Sequence, residues 1–157
     1  MQKITPFLWF DGDAGEAMKF YTAIFPNSKI VEVSRTDNLP GPSGSMVTGT
    51  MHLNGQDILV ISTGPAPFKF TEAFSLQVLC ETQEEVDYYW QRLTEGGEPS
   101  QCGWLKDKHG LSWQIVPAVL NRLMNDPDPA KSQRVMQAMF QMSKFDIATL
   151  QRAYDGA

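Results

Sequence analysis

Cysteine and histidine are both scarce in this chain, with two of each among 157 residues. Cys80 and Cys102 are too few to staple a small secreted fold, and with no leader-like segment before them they read as reduced thiols rather than a disulfide. His52 and His109 stand alone, with neither a His-x-His nor a His-x-x-x-Glu pair around them, so the usual sequence signature of a metal site is missing. Basic residues number 13 against 18 acidic ones, and no Lys/Arg run occurs, which removes the electrostatic footprint that nucleic-acid binding needs. Apolar runs fall short of the roughly 20 residues required to cross a bilayer. Met1-Gln2-Lys3 leads directly into a strand-like run. The expectation is a cytoplasmic protein without membrane or nucleic-acid partners.

What the chain does have is ordinary globular material, 42% hydrophobic and 11% aromatic, enough to build one core in a single domain spanning 1–157. Ile4 to Phe10 is a β-rich apolar run. Asp13 followed by Glu16 makes an N-terminal capping box, and Ala17, Phe20, Tyr21, Ile24 and Phe25 recur at helical spacing behind it. Three strands are expected next, over Lys29–Arg35, Met46–Leu53 and Gln56–Ser62, with Asn54-Gly55 as a tight hairpin turn. The loop containing Gly41-Pro42-Ser43-Gly44 lacks the lysine of a phosphate-binding loop and reads as a flap.

The same order then recurs. Ala73–Cys80 is a strand candidate, Thr82 with Glu85 is a second capping box, and Val86, Tyr89, Trp90 and Leu93 repeat the helical stripe until Gly96-Gly97 stops it. Glu98–Trp104, Leu105–Lys108 and Leu111–Pro117 are three further strands. The fold class is therefore α+β, with two βαβββ modules at about 4–62 and 74–117 and a helical tail over 118–157. In that tail Asp128-Pro129 opens a helix carrying Val135, Met136, Met139 and Phe140, and Asp146 opens another carrying Ile147, Leu150 and Tyr154. Either stripe could pack on the domain's own sheets or against a second subunit, with Met supplying adaptable contacts.

The doubled unit resembles the vicinal oxygen chelate (glyoxalase/bleomycin resistance/dioxygenase) superfamily, and within it the PhnB-like, or demethylubiquinone-methyltransferase-like, branch. The motifs that carry the likeness are Ile4 to Phe10 with Ala17-Met18-Lys19-Phe20-Tyr21, Cys80 to Asp87, Cys102 to Asp107, Gly110 to Pro117 and the Met-rich tail. His109 departs from the branch, which more often has Phe there. The resemblance implies curved mixed sheets around a cup and a homodimer. It also implies a divalent metal held from the first and last strands of each module, at positions that fall on Thr5, Val60, Ser75 and Gln114. Of these only Gln114 is a usual ligand of that superfamily. Val60 has no donor atom, and neutral hydroxyls bind such ions weakly, so no cofactor is expected and a divalent metal is the lesser alternative.

Alternation along the first strand sends Ile4, Leu8 and Phe10 toward the helices and Thr5, Phe7 and Trp9 into the cup. In the last strand Leu111, Trp113 and Ile115 share the helix side, and Ser112, Gln114 and Val116 the other. Candidate ligand-pocket residues are thus Thr5, Phe7, Trp9, Ser75, Gln77, Cys102, Trp104, Ser112 and Gln114. Cys102 is the best candidate nucleophile but has no visible partner base, and it reads more simply as a small apolar residue in a short strand. Asp11-Gly12-Asp13-Ala14-Gly15-Glu16 lacks the glycine pattern of a dinucleotide-type turn, and its carboxylates oppose an anionic ligand. On that ground the methyltransferase name is set aside as an inherited label. The expectation for function is metal-independent small-molecule binding in the cup, with a lyase, isomerase or dioxygenase of the same superfamily as the enzymatic alternative.

Overall fold

The computed structural model describes residues 2–157, in two compact units, the first running to Phe70 and the second from Thr71 to Ala157. The first contains β1 (Phe7–Phe10), α1 (Ala14–Ile24), β2 (Lys29–Thr36), β3 (Met46–Leu53) and β4 (Gln56–Ser62). The second contains β5 (Ser75–Cys80), α2 (Gln83–Thr94), β6 (Glu98–Pro99), β7 (Trp104–Lys106), β8 (Ser112–Pro117) and three tail helices, α3 (Ala118–Met124), α4 (Pro129–Phe140) and α5 (Ile147–Asp155). Each unit holds one four-stranded mixed sheet, ordered β1-β4-β3-β2 in the first and β5-β8-β7-β6 in the second. In both, the outer first strand pairs in parallel with the last and the remaining pairs are antiparallel.

Local chemistry explains most boundaries. Asp13 Oδ1 accepts from the Gly15 and Glu16 amides at 2.7 and 3.1 Å, so the first free N–H groups of α1 are satisfied by its own cap. Thr82 Oγ1 does the same for Glu85 in α2 at 3.2 Å. Asn54 and Gly55 take φ of 45° and 92°, the left-handed pair that a two-residue hairpin needs. One face of the first sheet is covered by α1, whose Ala17, Met18, Tyr21 and Ile24 are buried. Gly49 suits this close packing, because a Cβ there would stand 2.8 Å from the Glu32 carbonyl oxygen as well as 2.6 Å from Met18 Cε. Ser62 Oγ accepts from the Ala14 amide at 3.0 Å and so ties the helix start to β4.

In the second unit Val86, Tyr89 and Leu93 of α2 lie buried with Leu105, Trp113 and Ile115 of the sheet. Asp107, 3% exposed, accepts from the His109 amide (2.8 Å), the Leu111 amide (3.2 Å) and Trp113 Nε1 (2.7 Å), which fixes the turn between β7 and β8. The tail belongs to this unit. Gln83 of α2 donates to the Phe145 carbonyl and accepts from the Ile147 amide, and Arg134 of α4 donates to the Ala153 and Tyr154 carbonyls at the end of α5. Val135, Phe145 and Leu150 are buried, whereas Met136 and Phe140 stay exposed.

Several boundaries differ from expectation: β5 begins at Ser75 rather than Ala73, β8 at Ser112 rather than Leu111, β2 ends at Thr36 rather than Arg35, and the strand expected over Leu105–Lys108 is Trp104–Lys106. The first strand begins at Phe7, not Ile4, and Ile4 is 89% exposed rather than facing the helices. The expected strand Glu98–Trp104 shrinks to Glu98–Pro99, because the chain turns at Cys102 and Gly103, with φ of 57° and 80°. Their amides donate to the Met142 and Ser143 carbonyls, so partners distant in sequence break the strand. Helix α3 follows directly on β8, with Pro117 at its N-cap. No helix is long and apolar enough to cross a membrane among the described residues.

Candidate functional site

Directly paired residues in a sheet project to the same side, so strand register determines which side chains share a face. On the uncovered face of the second sheet, Ser75 pairs with Ser112 and Ser112 with Lys106, forming one row across three strands. Two residues along, Gln77 pairs with Gln114 and Gln114 with Trp104, forming a second row. Five of the residues expected from sequence, Ser75, Gln77, Trp104, Ser112 and Gln114, therefore share one surface. Gln114 Nε2 donates to Ser75 Oγ at 3.0 Å, which joins the two rows.

A groove of about 310 Å³ opens at one end of this face, and its walls include Glu72, Glu98, Ser100, Trp104, Lys106 and Ser112. Lys106 Nζ and the Glu72 carboxylate form an ion pair of 2.9 Å. The hydrogen bond from Lys106 holds the Glu72 carboxyl below its ordinary value, so the pair is ionised at neutral pH. Neither residue is evident from sequence, where a lysine on an open strand reads as a solvated face. The available clue is spacing, since Lys106 lies two residues from Trp104 and must share its side.

Cys102 lies off this face. It occupies the left-handed turn before β7, and its thiol donates to the Met139 carbonyl at 3.6 Å. Cys80 is buried, and burial, with the Glu85 charge, pushes its thiol up to about 11. Both thiols are free.

The first sheet presents a different uncovered face. Phe7, Leu59, Thr50 and Glu32 form one row, and Trp9, Ile61, Thr48 and Ser34 the next. Phe7 is 57% exposed and lines a groove of about 360 Å³ with Val33, Thr48 and Thr50. Trp9 meets Phe68 edge-on at 5.2 Å. Thr5 precedes the strand and is half-buried. Ser43 Oγ donates to the Thr63 carbonyl at 2.6 Å, so the glycine-rich loop is fastened to the strand end.

Among the described residues no group of three or more His, Cys, Asp or Glu side chains is arranged to hold a metal. His52 Nδ1 instead bonds Asp57 at 2.7 Å. Three amides of the turn from Asp11 to Glu16 are engaged within the fold: Ala14 donates to Ser62, and Gly15 and Glu16 to Asp13. Asp11 in turn accepts from the Ala66 amide.

Residues 2–116 match a family model described as 3-demethylubiquinone-9 3-methyltransferase. A Bacillus cereus protein, named PhnB protein with a provisional description as 3-demethylubiquinone-9 3-methyltransferase, is 43% identical, with 74% of this chain and 100% of that one covered and a TM-score of 0.67. A Pseudomonas aeruginosa protein shares the fold at 16% identity and TM-score 0.58, covering 74% of this chain and 98% of its own. The fosfomycin resistance protein FosX of Listeria monocytogenes, solved with Mn(II) and sulfate, does so at 17% identity and TM-score 0.51, covering 73% and 91%. None of the curated proteins compared matches the chain.

These matches overturn two expectations, that the methyltransferase name is a mere label and that any enzyme here is a lyase or oxidoreductase instead. The error has a physical source. A missing glycine-rich turn excludes one way of holding a methyl donor at one place, and methyl transfer as an activity is wider than that single architecture. The chain belongs to the 3-demethylubiquinone-9 3-methyltransferase family, the PhnB-like branch of the vicinal oxygen chelate superfamily.

Proposed function

We propose that the protein is a methyltransferase-type enzyme whose acceptor, a planar ring bearing a hydroxyl group, binds on the uncovered face of the second sheet. The observation that supports this reading is one groove in which the flat Trp104 side chain and the Lys106 ammonium occur together. An indole face suits a planar ring through offset or edge-on packing. A cation beside a ring hydroxyl favours its ionised form, and the ionised oxygen is the stronger nucleophile. The methyl group would come from a sulfonium donor, left as its thioether, with the hydroxyl proton released to solvent; the chain's own part is to orient the ring and hold the hydroxyl oxygen as an anion. Pairing of two copies belongs to the same reading, supported by the exposed Met136 and Phe140 on α4.

The test is transfer of label from methyl-labelled S-adenosylmethionine to a ring-hydroxylated quinol. The label is expected in the quinol fraction, with Trp104→Ala slower by about tenfold, the equivalent of one lost aromatic contact. Absence of transfer to every hydroxylated quinol offered would remove the proposal.

A further inference from the structure

One polar group in the groove is not accounted for by the fold. Ser112 is 1% exposed, and its Oγ has no hydrogen-bond partner among the described residues. Buried hydroxyls are normally satisfied, so an exception calls for a reason. Its cross-strand neighbours are Ser75, whose Oγ is engaged by Gln114, and Lys106, whose Nζ is drawn to Glu72. The Glu72 side chain is 67% exposed, and ion pairs this open contribute little stability, so another anion can replace Glu72 at small cost.

We propose that Lys106 and Ser112 together form a subsite for an anionic oxygen on the ring of the bound molecule. The ligand oxygen takes the place of Glu72 on Lys106 Nζ. Ser112, the cross-strand neighbour of Lys106, donates its Oγ hydrogen to the same oxygen. The inference rests on the acceptor reading above and sharpens it: the preferred ligand is a phenolate rather than a neutral phenol ether, and Glu72 competes with it for Lys106.

The chemistry is shared by phenolates and carboxylates, so the experiment uses 4-nitrophenol at a pH where it is ionised, 4-nitroanisole as its neutral methyl ether, and benzoate. Calorimetric titration of the full chain is expected to show 4-nitrophenolate bound about tenfold more tightly than 4-nitroanisole, as one charge-assisted hydrogen bond provides. Benzoate binding as tightly as 4-nitrophenolate would make the subsite a general carboxylate site and overturn the phenolate preference. Lys106→Met removes the preference while keeping 4-nitroanisole affinity, Ser112→Ala weakens only the anion, and Glu72→Gln tightens it several-fold. Thermal melts establish that each variant is folded. Equal affinity for phenolate and ether, binding of neither, or a preference that survives Lys106→Met overturns the subsite. Anion preference without methyl transfer would leave the subsite standing and remove the reaction, whereas transfer without preference would do the reverse.

Discussion

The two sheets have the same strand order and the same pairing, yet corresponding strands carry different side chains on their uncovered faces. Where the first sheet has Phe7, Leu59 and Thr50 in a row, the second has Ser75, Ser112 and Lys106. Where the first has Trp9, Ile61 and Thr48, the second has Gln77, Gln114 and Trp104. A repeated scaffold therefore does not mean a repeated site. The covered faces had to remain apolar to bury α1 and α2, while the open faces were free to diverge.

The covered sides differ as well, and the largest expected effect comes from the second. Asp107 is a buried carboxylate with three donors converging on it, and among the described residues the first unit has no buried carboxylate to match it. Asp107→Ala strands those donors and is expected to cost about 3 kcal/mol, enough to melt the second unit well before the first in a denaturant titration. Equal loss in both units would mean that the units do not differ in this way.

A smaller effect is expected at the first helix. The Asp13 carboxyl is raised by partial burial but lowered further by the Glu16 and Gly15 amides and by Arg35, leaving it below its ordinary 3.8. A depressed acid stabilises the folded state above its unfolded value, and that contribution is lost as pH falls through the lower folded value. Asp13→Ala should cost about 1 kcal/mol at neutral pH, with the gap to the parent closing only below pH 3.8, as followed by acid titration of helical circular dichroism. A gap that stays constant into strong acid would show that the cap acts without its charge.

Smallest, and opposite in sign, is Ser112→Ala. Removing a buried hydroxyl that has no partner should stabilise the second unit by about 0.5 kcal/mol, read as a raised melting temperature. A lowered melting temperature would indicate a structural role for that hydroxyl and weaken its assignment to a ligand.

Much of the scaffold was legible because its determinants are local. Asp13, Thr82, Asp128 and Asp146 each cap the helix that follows, and Met46–Leu53 and Gln56–Ser62 are strands with the expected ends. Alternation in β8 was also readable, with Trp113 and Ile115 on the covered side and Gln114 on the other. The break at Cys102 and Gly103 was not, since it depends on carbonyls of Met142 and Ser143 some forty residues away. At Gly103 a Cβ would also collide with Phe145, a contact no local pattern announces. The candidate face was half legible. Its amides and hydroxyls follow from alternation, but Lys106 gains meaning only through its register with Ser112 and its approach to Glu72.

The central claim is that the ligand-binding chemistry resides on the second sheet's open face and not the first's. Amide chemical-shift mapping during titration with 4-nitrophenolate tests it most directly. The expected result is perturbation concentrated at Ser75, Trp104, Lys106 and Ser112, with Phe7, Thr48 and Thr50 unmoved. Perturbation centred on Phe7 and Thr48 instead would contradict the account.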